Sequence, residues 1–266
     1  MTPKPLFAAL LILAATAPPA RAQDRPFLFS VTTSSDVTKN ALRFDYDVGA
    51  GEHAFQSDSD NQPEQRVGIQ ATLGRFTLVG RVGLSLTDDG SSYQSSQSGE
   101  ALVALVDPAR LGFALAAGGG LLHEAGGTNV ALARIVAGRE ADRWRMHGNL
   151  LMEAPINAVG RDALDLITTV GWAAKLTPAL ALGVEGIGED LEGFWDPTEA
   201  EGGARILVGP SLHVAPPDAK WQLTATGGPS FHPENTGRSS EALRDLPPTT
   251  QRVSYAVKVG LTYHLY

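Results

Sequence analysis

Arg143, Arg145 and His147 stand at alternate positions of the chain, and alternate positions share one face of an extended strand. Such a strand would carry the densest cationic stripe in the sequence, and Arg205 with Lys220 could add to it from a neighbouring hairpin. Basic rings of this kind line anion paths. More often, such stripes are solvated or paired with carboxylates. Acidic residues gather elsewhere, in Glu52, Asp58, Asp60 and Glu64 and again in Asp190, Glu192, Asp196, Glu199 and Glu201. Oxygen-rich clusters can hold Ca²⁺ or Mg²⁺. Asp58-Ser59-Asp60-Asn61 approaches the start of the Ca²⁺-loop signature, but no glycine follows where that loop needs it, so no metal site is expected.

Catalysis is the second chemistry to weigh. His53, His123 and His232 fall within or beside segments rich in turn residues, near Ser57, Ser59, Ser230 and Ser239. A serine nucleophile needs a base within hydrogen-bond reach, and no Gly-x-Ser-x-Gly elbow frames any of these serines. Paired-histidine metal spacing is also missing. No catalytic residue is assigned, and a lipid-hydrolysing or lipid-modifying enzyme is kept as an alternative.

Composition narrows the setting. Lys4, the apolar run from Leu6 to Ala17 and the small-x-small Ala20-Arg21-Ala22 read as a secretory signal peptide over 1–22, removed before Gln23. The apolar run is short of the roughly 20 residues a spanning helix requires. Cleavage takes away two cations and no acid, lowering the formal charge from −8 to −10. That acidity leaves no footprint for nucleic acid. There is no cysteine, so disulfides and thiolate chemistry are excluded. Mean hydropathy is −0.06, too polar for a helical membrane bundle. Glycine, at 29 residues, is about 11% of the chain against a usual 7% or so, which fits many turns and tightly curved strands.

The elements that must position these residues are strands. At the C-terminal end Val253, Tyr255, Val257, Val259, Leu261, Tyr263 and Leu265 alternate with Arg252, Ser254, Ala256, Lys258, Gly260, Thr262 and His264. The same phrase recurs about twelve times, at 38–48, 66–73, 76–87, 99–106, 110–120, 128–138, 142–153, 163–174, 179–189, 203–214, 219–229 and 252–265. Short connections at Gly74-Arg75, Asp107-Pro108-Ala109, Arg139-Glu140-Ala141, Thr177-Pro178 and Ala215-Pro216-Pro217-Asp218 alternate with longer ones. One set of side chains in lipid and the other in a watery lumen is the solution of a transmembrane β-barrel. The fold class is therefore all-β: a closed antiparallel barrel of about twelve strands, with short periplasmic turns and longer extracellular loops. It would span 38–266, after an N-terminal extension at 23–37. Phe27, Phe29 and Val31 alternate within that extension and would make a thirteenth strand or a plug segment.

With the apolar parity outward, the inward set includes Arg43, Asp45, Asp47, Arg66, Arg81, Arg143, Arg145, His147, Glu153, Asp165, Glu185, Arg205, Lys220 and Lys258. Each of these charges would cost on the order of 2–4 kcal/mol at the bilayer midplane, so they require an aqueous or paired interior. They are the candidate pore lining, although the same charges could pair across the lumen and fill it. Phe76, Phe113, Trp144, Trp172, Trp221 and Tyr263 lie near the short turns or the C-terminus on the apolar parity, and form a candidate periplasmic girdle at the lipid headgroups. Tyr46 and Tyr255 are candidates for the opposite girdle.

The export signal, the ladder, the alternating loop lengths, the rim aromatics and the ending Val-Gly-Leu-Thr-Tyr-His-Leu-Tyr together resemble bacterial outer-membrane β-barrel proteins. The resemblance implies the bacterial outer membrane as location, its lipid as surroundings, and the barrel-assembly machinery as a partner that reads the C-terminal strand. Tyr266 supplies the terminal aromatic of that class one position out of step with Leu265, Tyr263 and Leu261. The expected function is a passive, porin-like channel for small hydrophilic solutes without a cofactor. A structural or adhesive barrel, meeting another surface through the long Phe231–Gln251 loop, is the third reading.

Overall fold

The computed structural model describes residues 25–32, 40–51, 63–86, 92–157, 164–194, 204–232 and 253–265. Among them are twelve strands: β1 (Ala41–Gly51), β2 (Glu64–Leu73), β3 (Phe76–Leu86), β4 (Tyr93–Val106), β5 (Ala114–His123), β6 (Asn129–Glu140), β7 (Trp144–Ile156), β8 (Asp165–Thr177), β9 (Leu180–Glu189), β10 (Arg205–Val214), β11 (Trp221–Phe231) and β12 (Val253–His264). Each pairs antiparallel with its sequence neighbours, and β1 closes the ring on β12 from Arg43↔His264 to Gly51↔Ala256. Closure leaves no strand edge with unpaired backbone groups, the condition for spanning a bilayer with strands.

Side-chain parity follows the expected split. Trp172 is 45% exposed and Val170 48% on the outside of β8, whereas Thr169 and Ala173, which flank them, are buried. Around the ring Ile69, Leu78, Val184, Val208, Val257 and Leu261 continue the same exposed apolar surface. Phe76, Phe113, Trp172, Trp221 and Tyr263 are exposed on it toward the short-turn end, and Trp144 is half-buried beneath the Arg139 guanidinium at 5.6 Å.

Three boundaries differ from expectation, each for a local reason. A strand beginning at 99 was expected, but β4 starts at Tyr93, where Tyr-Gln-Ser-Ser-Gln-Ser has no apolar alternation and is held by pairing with β3. The segment after it, expected to return as strand from 110, first forms a single helical turn, α1 (Pro108–Leu111). Asp107 caps that turn by accepting from the Ala109 N–H at 2.9 Å, and Gly112 leaves it in the left-handed region at φ 73°. The connection expected at 121–127 is also shorter, because β5 runs on to His123 and the chain turns within Glu124–Thr128.

Candidate functional site

The segment Arg25-Pro26-Phe27-Leu28-Phe29-Ser30-Val31-Thr32 lies inside the barrel, buried along almost its whole length. It adds no thirteenth strand; its alternating apolar side chains go to three separate interior clusters. Phe27 packs with Ala173 and Ala181, Phe29 against Val130, Leu132, Leu151, Ile167, Ile187 and Leu207, and Val31 with Val79, Leu102, Ala116 and Val136. Gly171 makes room for it, since a Cβ there would sit 2.5 Å from the Phe27 ring.

A buried segment outside the ladder still needs partners for its backbone N–H and C=O groups. Inward-facing side chains of the wall provide them. Gln222 accepts from the Arg25 N–H at 3.1 Å and Thr224 donates to the Arg25 carbonyl at 2.8 Å. The fully buried Glu185 carboxylate accepts from the Leu28 N–H at 3.0 Å and also from the Phe29 N–H. Asn149 accepts from the Val31 N–H at 2.7 Å, donates to its carbonyl at 3.0 Å, and Gln70 donates to the Thr32 carbonyl at 2.8 Å. The Ser30 and Thr169 hydroxyls meet at 2.9 Å. Arg25 holds Asp47 through two hydrogen bonds, of 2.5 and 2.8 Å, and lies 3.7 Å from Asp45.

Other inward charges gather around this segment, several of them in pairs. Arg43 donates to Asp45 at 3.2 Å, to Gln70 at 2.9 Å and to the Thr32 hydroxyl at 3.2 Å. Thr262 donates to Asp45 at 2.6 Å. Arg205 meets Glu189 at 2.6 Å, and the Lys258 ammonium lies 4.4 Å from the Phe29 ring centre, a cation–π contact. His147 packs against Phe27 with ring centroids 5.8 Å apart. Arg66 and Arg81 face the lumen beside Glu100, Glu153 is buried, and Asp165 stands opposite Glu153 in register.

Two expected lining residues are elsewhere. Arg143 is exposed in the turn before β7, which the Ala141 N–H closes on the Trp144 carbonyl at 2.8 Å. Lys220 is exposed in the turn before β11. Strand parity cannot be carried into a turn, so the stripe of three reduces to Arg145 and His147. These two do not act together: Arg145 lies 3.9 Å from Glu140, while His147 serves Phe27.

Sequence reasoning missed Arg25, Glu100 and Arg134. Arg134 donates to both oxygens of Glu100, at 2.6 and 3.0 Å, and Arg81 approaches the same carboxylate at 3.4 Å. Glu100 on β4 and Arg134 on β6 are separated by β5, where Gly118 and Gly120 present no side chains between them. The run Gly118-Gly119-Gly120 was the available signal, but its reach across two ladders follows only from register.

At the long-loop end the lumen opens into a vestibule of about 80 Å³ lined by Glu64, Ser85 and Glu124 outside and by Arg66, Arg81, Arg134 and Leu151 deeper in. Of the histidines weighed for catalysis, His123 bonds Asn129 at 3.0 Å, and His232 lies 3.5 Å from the Ser254 hydroxyl on the inward parity of β12. His53, Ser57, Ser59 and Ser239, the signal segment, Tyr266 and most of the long loops, including 233–252, lie outside the described residues.

The chain matches no protein-family model and no curated protein. Solved structures do resemble it. The KdgM porin superposes with a TM-score of 0.54 at 12% identity, over 83% of this chain and 98% of that one. An outer-membrane channel from Pseudomonas putida F1 gives 0.52 at 10% identity, over 85% and 95%. At such identities the likeness is one of fold: this closed twelve-strand barrel has the architecture of bacterial outer-membrane β-barrels.

Proposed function

We propose that this protein is an outer-membrane channel for small hydrophilic solutes whose lumen is narrowed by its own residues 25–32. The observation that carries the reading is the inner wall. Charged and polar side chains line it from the vestibule down to Leu28 and Phe29, an arrangement that costs heavily unless the charges are paired or water or polar solute shares the space, and the vestibule and inner cavity leave room for the latter. The fold likeness to a porin and to an outer-membrane channel supports it. In this reading the chain is exported through cleavage after residue 22, the assembly machinery recognises β12, and the exposed aromatics at the short-turn end sit among lipid headgroups. The unaided porin-like passage expected from sequence becomes restricted passage, because Phe27, Phe29 and Val31 fill the middle of the lumen.

Planar-bilayer recordings test this. The mature protein should give small, intermittent steps, and deletion of residues 25–32 should give larger and steadier ones. Silence from both proteins would remove the channel and leave the barrel.

A further inference from the structure

Beside Leu28 and Phe29, below the vestibule, lies an inner cavity of about 40 Å³. Five cationic side chains from five strands converge on it: Arg66, Arg81, Arg134, Arg205 and Lys258. Asn149 and Thr169 add neutral polar groups, and among the described residues that line it there is no carboxylate. The acids nearby are engaged around its margin, Glu100 by Arg81 and Arg134, Glu189 by Arg205, and Glu185 by the backbone of Leu28 and Phe29. Whatever each cation pairs with, every charged side chain that lines the cavity is cationic, the rest of the lining being Asn149, Thr169 and apolar groups.

Like charges brought together in a low dielectric repel strongly, and a mobile counter-charge between them lowers that cost. By volume the cavity takes about three waters, or one group of three to five heavy atoms. We propose that it is a binding site for the anionic group, carboxylate or phosphate, of a small solute passing through the barrel, a site that rests on the channel reading. Access is through the vestibule, which shares Arg66, Arg81, Arg134 and Leu151 with the cavity. Glu64, Glu124 and Glu153 also line that approach, so the path favours a solute with one anionic group among neutral ones over a polyanion.

Calorimetric titration of the detergent-purified mature protein with acetate and with inorganic phosphate, at constant ionic strength, tests the site. One saturable equivalent is expected, with Kd on the order of 1 mM. Arg66→Gln and Arg81→Gln should each weaken it about tenfold, the worth of one charge-assisted hydrogen bond. Arg139→Gln, on the outer surface, should not change it. Tighter acetate identifies a carboxylate-bearing solute and tighter phosphate a phosphate-bearing one. No saturable binding of either anion, or undiminished binding in both variants, overturns the site. A protein silent in bilayers that still binds one anion through Arg66 and Arg81 refutes the channel and keeps the site; one that conducts but binds neither anion refutes the site alone.

Discussion

Asn149 grips Val31 on both backbone groups, accepting from its N–H at 2.7 Å and donating to its carbonyl at 3.0 Å. The side chain of β7 thus stands in for a neighbouring strand, and the segment it holds needs no place in the ladder to be ordered. Glu185, Gln70, Gln222 and Thr224 repeat the device around the ring. A wall that only lined an open pore would have no reason to aim so many polar groups at one stretch of backbone.

Asn149→Leu should therefore loosen the segment without opening the barrel. It leaves two buried backbone groups without these partners, at about 1–3 kcal/mol each. Hydrogen exchange at the Val31 amide should accelerate at least about tenfold, while the ladder amide of Leu150 stays protected.

Arg25→Ala should destabilise the whole protein, because Asp47 is buried and loses its bidentate partner. Breaking a buried pair in this way costs about 3–5 kcal/mol. Thermal unfolding in detergent should show it, and adding Asp47→Asn to Arg25→Ala should recover part of the loss. A double variant no better than the single one would mean that the pair does not set the stability.

On the outer face, Val170→Arg should raise the cost of folding into lipid vesicles by about 2–4 kcal/mol. Arg143→Ala, in an exposed turn, should stay within about 0.5 kcal/mol. Equal effects would contradict the assigned parity.

Gly171→Val should displace Phe27, whose ring lies where the new Cβ must go. A cysteine placed at Ser30 in that variant should react with maleimide faster than the same cysteine in the otherwise native chain.

Much of this architecture could be read from the residues because a strand between lipid and water carries a period of two. Val257, Val259 and Leu261 against Lys258 and Gly260 show which face is which without any tertiary knowledge. Twelve strands, closure and the inward positions of Asp45, Asp47, Glu153 and Glu185 followed from that period and from the turn residues. Where the period failed, so did the reading. On β6, Val130, Leu132 and Val136 are apolar yet inward, packing on other interior side chains, and this concealed Arg134 between them. Arg143 and Lys220 kept the period into turns that no longer obey it. The destination of Phe27, Phe29 and Val31 was hidden for a different reason: alternation marks an extended backbone, and it does not say whether the partners are a strand edge or side chains spread around the wall.

The most direct measurement uses the absence of native cysteine. Ser30→Cys with Thr169→Cys places the only two thiols of the chain where the native hydroxyls meet at 2.9 Å. Oxidation in isolated membranes should give one intramolecular disulfide, with bilayer steps suppressed until a reductant is added. If both thiols stay free and label rapidly under oxidising conditions, residues 25–32 do not occupy the lumen and the account fails.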